Sequence, residues 1–263
     1  MGPALTTKQV ALISVFAALV AMISRLPGIP IIGVPGTKIE PSVILYPLIG
    51  ILLGGKVGVI AVLIGNFVSW IIPASTVLGL LMIPPGALAA LVAGSLRSKE
   101  RIFNWKLASA VLGILIVMWY LTPIGLEAPF YPVLHLAALL SILLWGRKAP
   151  ALLESKSRIR SLLGTGICSF AALMSDSMAG NLIFIYAVGW VIPLRSVLDA
   201  VAGLGMFWLK LGIPKLPFTG LAAVFMGALA IMAVERITMT VVSTLIGNAV
   251  LRLLGKRRFL TSS

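Results

Sequence analysis

Acidic side chains are almost missing from this chain. Its 263 residues hold only 7 Asp and Glu against 21 Lys and Arg, and all charged residues together make up 11%. A soluble domain carries about 25% charged residues, so the material for a polar skin is lacking. Cysteine and histidine occur once each, as Cys168 and His135. One of each excludes an internal disulfide, a CxxC redox or metal site and an HExxH zinc site. No GxSxG elbow occurs, so the serine-hydrolase route is also unsupported. What the chain has in excess is apolar residues, 60% of the total, at a mean hydropathy of +1.12. It reads as an integral membrane protein. Soluble enzymes, disordered scaffolds and DNA-binding proteins are excluded as default classes, and Cys168 reads as a small core residue.

The scarce charges divide the chain into spans. Intervals free of charge run 9–24, 41–55, 57–96, 107–126, 128–146, 161–175, 177–194, 216–234 and 237–251. A helical span needs about 20 apolar residues. The interval 57–96 therefore holds two spans, broken at Pro73-Ala74-Ser75, while Gly54-Gly55-Lys56 predicts a tight turn before it. The segments 161–194 and 216–254 each carry charge near the middle, at Asp176 and at Glu235-Arg236, and read either as one long helix or as two short ones. The expected fold is an all-α polytopic bundle in a single membrane domain. It has about eight spans, near 9–26, 41–55, 57–72, 76–96, 106–124, 131–146, 161–191 and 218–254, or ten if both long segments split.

Either even count puts both termini on one side. Under eight spans that face carries 15 of the 21 bases, including Lys56, Arg97, Lys99, Arg147, Lys148 and Arg252. Such a bias places the termini in the cytoplasm of a cell-membrane protein. The +14 charge is then a topology signal with a contribution from anionic membrane lipid, and no nucleic-acid module accompanies it. Gly50-Ile-Leu-Leu-Gly54-Gly55-Lys56-Val57 nearly spells a P-loop but lacks the Ser or Thr that holds magnesium. The chain is thus not expected to hydrolyse ATP itself. Met1–Thr6 fits a loose myristoylation pattern that a polytopic protein does not need, and 9–24 lacks the features of a cleavable signal.

Polar groups at membrane depth are costly and mark cavities or pathways. The connection after the first span, 27–41, is rich in Pro and Gly yet strongly aliphatic, too apolar for free solvent and too broken for a helix. It fits a lid over the mouth of the bundle, with an interfacial tether as the alternative. Lys38 and Glu40 flank Ile39, so in an extended lid they point the same way. Asn66 and Trp70, four apart, share a helix face. They suit an aromatic or heterocyclic solute, or else an interhelical hydrogen bond and an interfacial Trp. Asp176 with Asn181, and Glu235 with Arg236, complete the candidate binding set, although Glu235 and Arg236 could simply neutralise each other. His135 reads as a helix–helix hydrogen-bond donor or a solute contact.

Ala17 and Ala21 lie one turn apart, a spacing that lets helices approach closely. They read as a docking surface for another membrane protein. Gly50, Gly54 and Gly58 repeat the spacing and read as packing within the hairpin.

Taken together, Ala17-x-x-x-Ala21, Pro30–Pro41, Leu48–Gly58, Asp176–Asn181 and Val234–Ile237 resemble the substrate-binding S components of energy-coupling factor (ECF) transporters, in particular archaeal members of unknown substrate. The resemblance implies a six-helix core that binds a vitamin-like or metal solute near the outer face under the first loop. It also implies docking of the alanine motif on a separate coupling subunit driven by two ATPases. Ordinary members are shorter, so 106–146 is expected as an inserted hairpin and 194–217 as an extra loop segment. The expected function is capture of a small solute for an ATP-driven importer, with no cofactor and no enzymatic activity. A scaffold subunit without ligand is the second reading and an intramembrane enzyme the third.

Overall fold

A computed structural model describes residues 5–34, 37–72, 76–212 and 218–255. The predicted break at 73–75, two lid residues (35–36) and the basic tail from 256 onward lie outside the described residues. So do residues 1–4 of the Met1–Thr6 pattern.

The chain opens with α1 (Thr7–Ile23), fixed by a reciprocal cap. The Gln9 N–H donates to Thr6 Oγ1, and Thr6 N–H donates to Gln9 Oε1 at 2.9 Å, satisfying two otherwise orphaned donors. A short hairpin follows, β1 (Ile29–Pro30) antiparallel to β2 (Lys38–Ile39), with Ile29 opposite Ile39. Gly28 is required there, because a Cβ would stand 2.3 Å from the Ile39 carbonyl oxygen. A 3₁₀ turn at Pro41–Ile44 runs into α2 (Leu45–Leu53), and α3 (Gly55–Ile71) returns. Gly54 joins them at φ +79°, a left-handed conformation that favours glycine.

Two pairs of one short and one long helix follow: α4 (Val77–Leu81) into α5 (Ile83–Arg97), then α6 (Trp105–Tyr120) into the short α7 (Pro123–Glu127). Next come α8 (Val133–Trp145) and α9 (Ala149–Leu153), joined by a 3₁₀ turn at Gly146–Lys148. The last three helices are α10 (Arg158–Ala187), α11 (Leu194–Lys210) and α12 (Gly220–Gly255).

Both ambiguous segments are continuous helices. At 1.5 Å per residue, the 30 residues of α10 and the 36 of α12 extend about 45 and 54 Å, beyond a hydrocarbon core of about 30 Å. Among the described residues, four stretches are long and apolar enough to cross a membrane: 77–97, 133–153, 158–187 and 220–254. Four shorter apolar helices lie at 7–23, 41–53, 55–71 and 105–120. These eight segments coincide with the eight expected spans and not with ten.

The expected loop at 194–217 is corrected. Over Leu194–Lys210 the chain forms α11, which packs on α12. Its apolar positions 194, 197, 198, 201 and 204 recur at helical spacing, with Val197 and Leu204 buried. The segment 106–146 packs as α6 and α8 against α10, within the bundle.

The helix α10 is the hub, touching α2, α5, α6, α8, α9 and α12. Its small residues permit this, and hydrogen bonds between helices hold the seam to α12. Asn248 Nδ2 donates to Ser161 Oγ at 2.7 Å, and Ser243 Oγ donates to Ser169 Oγ at 3.3 Å. Spare hydroxyls are satisfied within their own helix, as where Thr240 and Thr244 each donate to the carbonyl four residues back. Close approach also governs α2, α3 and α5. A Cβ on Gly50 would stand 2.2 Å from Ala90 O, and one on Gly94 would stand 2.2 Å from Gly55 N.

Bases gather at one end. Arg97 donates to the carbonyls of Ile51 and Leu52, Lys99 pairs with Glu154 at 3.0 Å, and Lys56 lies over the Phe103 ring. The hairpin lies at the opposite end, which therefore holds the site.

Candidate functional site

A cavity of about 460 Å³ lies under the hairpin, walled by the ends of α1, α2, α3 and α5 and by the middles of α10 and α12. Its lining includes all eight candidate residues: Lys38, Glu40, Asn66, Trp70, Asp176, Asn181, Glu235 and Arg236. Chain segments 200 residues apart thus meet around one space.

The floor is charged. Arg236 Nη1 donates to Asp176 Oδ2 at 3.0 Å, and Arg236 Nε lies 3.1 Å from Glu235 Oε1. None of the three side chains is more than 9% exposed. The expected neighbour pair Glu235–Arg236 is therefore part of a triad that joins two helices. Glu235 Oε1, Arg236 Nε and Asn181 Nδ2 are buried without a hydrogen bond; the first two face each other as an ion pair, so Asn181 Nδ2 is the floor donor left for something else.

The wall is a relay of hydroxyls and an amide. Ser42 Oγ donates to Glu40 Oε2 and lies 3.3 Å from Tyr46 Oη, which donates to Asn66 Oδ1 at 2.9 Å. Asn66 Nδ2 in turn donates to Ile83 O at 3.4 Å. Asn66 makes the interhelical bond that was its second reading, while still facing the cavity. Trp70 Nε1 donates to Thr76 O at 3.0 Å, pinning the ring at the mouth.

The hairpin lies at the mouth. Lys38 and Glu40 both face the cavity, and Lys38 Nζ donates to Leu26 O. Burial pushes the Glu40 carboxyl above its ordinary value, against the opposing pull of the Ser42 hydroxyl and the charges of Lys38 and Arg25. From the other side α11 supports the lid: Val197 and Ala200 pack beside Gly33, which holds φ +80°. A second, apolar groove runs between the hairpin, α11 and α12, and Ile29, Ile39, Ile231 and Glu235 line both it and the cavity.

Arg25, Tyr46, Ser69 and Tyr131 also line the cavity and were not singled out in the sequence. Arg25 donates through Nη2 to Ser69 O and to Ser69 Oγ, and Ser24 Oγ lies 2.6 Å from Ser69 Oγ. His135 is absent from the lining. It is fully buried beside Tyr131, and neither ring nitrogen has a hydrogen-bond partner, so its expected interhelical donation is not made.

The alanine pair needs correction. Ala17 is 5% exposed and faces α3, where a Cβ on Gly65 would stand 2.9 Å from Ala17 O. It is part of an internal α1–α3 seam, and Ala21 is half-buried above it. Exposed on α1 are instead Val15, Ala18, Leu19 and Met22.

With this geometry in place, comparison with known proteins is decisive on kinship. The family model for the S component of ECF-type riboflavin transporters matches residues 4–142, just over half of the chain. The chain belongs to this family. That family is one of transporter subunits and not of enzymes. The match takes in most of the segment expected as an insertion and stops before Asp176 and Glu235-Arg236. The chain is also similar to an uncharacterized protein of Methanocaldococcus jannaschii, at 32% identity over 147 residues. That alignment covers 56% of this chain and 48% of the archaeal protein, so the chain spans about half the length of this relative. No solved structure matches it.

Proposed function

We propose that this S component captures a small, vitamin-like solute from outside the cell in the cavity beneath the 29–39 hairpin. It then hands the solute inward when a separate coupling subunit and its ATPases reorient the bundle. The observation that carries the reading is the cavity of about 460 Å³ whose floor is the buried Asp176–Arg236–Glu235 triad. Three ionisable side chains buried together are expensive, and a scaffold subunit would have a packed, apolar centre in their place. Tyr46, Trp70, Tyr131, Phe184 and Phe225 supply aromatic surface around the same space, which suits a planar heterocycle of the kind named by the matching family.

The basic end faces the cytoplasm of the cell membrane in this reading, because short loops rich in Lys and Arg are retained inside. The hairpin end then opens outward. The coupling subunit docks on the exposed side of α1, around Val15, Leu19 and Met22, rather than on Ala17.

Native mass spectrometry of the gently purified full chain tests the capture. Release of one bound small molecule on gas-phase activation is expected, with loss of that molecule in Asp176→Asn. A folded chain that retains no small molecule and binds none from a vitamin mixture would overturn the proposal.

A further inference from the structure

The apolar groove between the hairpin, α11 and α12 shares a wall with the solute cavity but offers a different chemistry. It holds about 780 Å³, and Ile44, Phe207, Leu211, Ala230, Val234 and Met239 are part of its lining. Polar side chains reach it from Trp208, Glu235 and Thr238, and each is engaged within the protein. Trp208 Nε1 donates to Gly227 O at 2.8 Å, Thr238 Oγ1 donates to Val234 O at 2.7 Å, and Glu235 pairs with Arg236 at 3.1 Å. No side-chain donor is left over for a polar ligand, and water gains little from such a surface.

The groove also lies at a definite depth. Arg252 stands in the last turn of α12 and marks the basic end of the bundle. Along the axis from it, Val242 and Ala230 lie about 15 and 33 Å away at 1.5 Å per residue. Against a hydrocarbon core of about 30 Å, the groove occupies the half of the bilayer on the hairpin side. Trp208, level with Gly227, falls about 38 Å from Arg252 by the same rise, at the interface where Trp side chains gather. The outward stripe of α12 is apolar through this depth: Val234, Ile237, Val241 and Leu245 are each at least half exposed. The groove therefore opens onto hydrocarbon.

We propose that one hydrocarbon chain of a phospholipid from the bilayer leaflet on the hairpin side occupies this groove as a bound ligand. The chain lies along α12 between Trp208 and Met239, with its headgroup at the Trp208 end. Ile29, Ile39 and Ile231 line both the groove and the cavity, so the lipid packs against the outer side of residues that wall the solute space. The assignment rests on the membrane fold and not on the capture reading.

The probe is a phosphatidylcholine with a diazirine midway along one chain, doped into phosphatidylglycerol nanodiscs that hold the full chain. After photolysis, labelled positions are read by peptide mass spectrometry. Labelling is expected to concentrate at 207–211 and 230–239 over the exposed positions near Leu245. Ala230→Phe and Val234→Trp fill the groove at residues that do not line the solute cavity. Each should weaken groove labelling at least fivefold and leave labelling near Leu245 unchanged. Even labelling along α12 in the native chain, which marks ordinary bilayer contact only, overturns the proposal without help from either variant. Groove labelling unchanged in both folded variants overturns it too. An unlabelled groove in a chain that is dimeric in the nanodisc assigns the groove to a second copy instead.

Discussion

Arg236 Nη1 donates to Asp176 Oδ2 at 3.0 Å, tying the middle of α12 to the middle of α10 across 60 positions of sequence. The bond is at once a packing element and the floor of the cavity. Removing one partner leaves the other as a lone buried charge, at a cost of about 3–5 kcal/mol. Arg236→Met should therefore lower the thermal unfolding midpoint in detergent sharply. Adding Asp176→Asn to it should recover part of the loss, since one of the two stranded carboxylates is then gone while Glu235 remains. A double variant no more stable than Arg236→Met would mean that the pair does not act as a unit. Asp176→Asn alone leaves Glu235 to balance Arg236, so the fold survives while solute affinity falls at least tenfold, or about 1.4 kcal/mol.

Position 17 distinguishes packing from docking. Ala17 faces Gly65 in a seam with no room, and overpacking such a contact costs about 1–3 kcal/mol. Ala17→Leu should destabilise the isolated chain. Leu19→Ala, on the exposed side of α1, should leave stability unchanged and weaken assembly with the coupling subunit. The reverse pattern in unfolding and co-purification experiments would return the alanine motif to the surface.

The lid should respond to acid in a definite direction. Burial raises the Glu40 carboxyl above its usual value of 4.5, so the folded state holds its proton more tightly than the unfolded state does. Stability from this group is complete below about pH 4.5 and is lost as pH rises through the higher folded value. Glu40→Gln should flatten that part of the stability–pH curve between native and variant chains. Identical curves would show that Glu40 is solvated in the folded protein.

The orientation has its own test. Reporter fusions after residues 100, 152 and 255 should all read as cytoplasmic, because Lys99 and Glu154 meet at the end opposite the hairpin. An external signal at residue 100 would invert the bundle and place the cavity inside.

Much of this was legible in the sequence because charge is so rare in it. Asp176 and Arg236 stand out as isolated charges between apolar runs, and the cost of burying them pointed to a shared site. Their partnership was not legible, since neighbouring Glu235 offered Arg236 a simpler mate. Tyr46 was hidden because one phenol in an apolar run says nothing about the amide of Asn66 that it will meet. Arg25 looked like any base at the end of a span. The helix α11 was missed for a different reason: Arg195, Asp199 and Lys210 interrupt the charge-free intervals, and counting charges conceals the helical recurrence of Leu194, Val197, Val201 and Leu204. Ala17 shows the limit of a spacing motif, which announces a close contact without saying whether the partner is inside or outside the chain.

The central claim is that the solute sits between the hairpin and the triad. A cryo-electron microscopy or crystal structure of the full chain carrying its co-purified solute measures this directly. Density is expected in the space bounded by Tyr46, Asn66, Asn181 and Glu235, with a solute atom within hydrogen-bond distance of Asn181 or of the Asp176–Arg236–Glu235 triad. Solute density elsewhere, with this cavity filled only by water or by repacked side chains, would contradict the account.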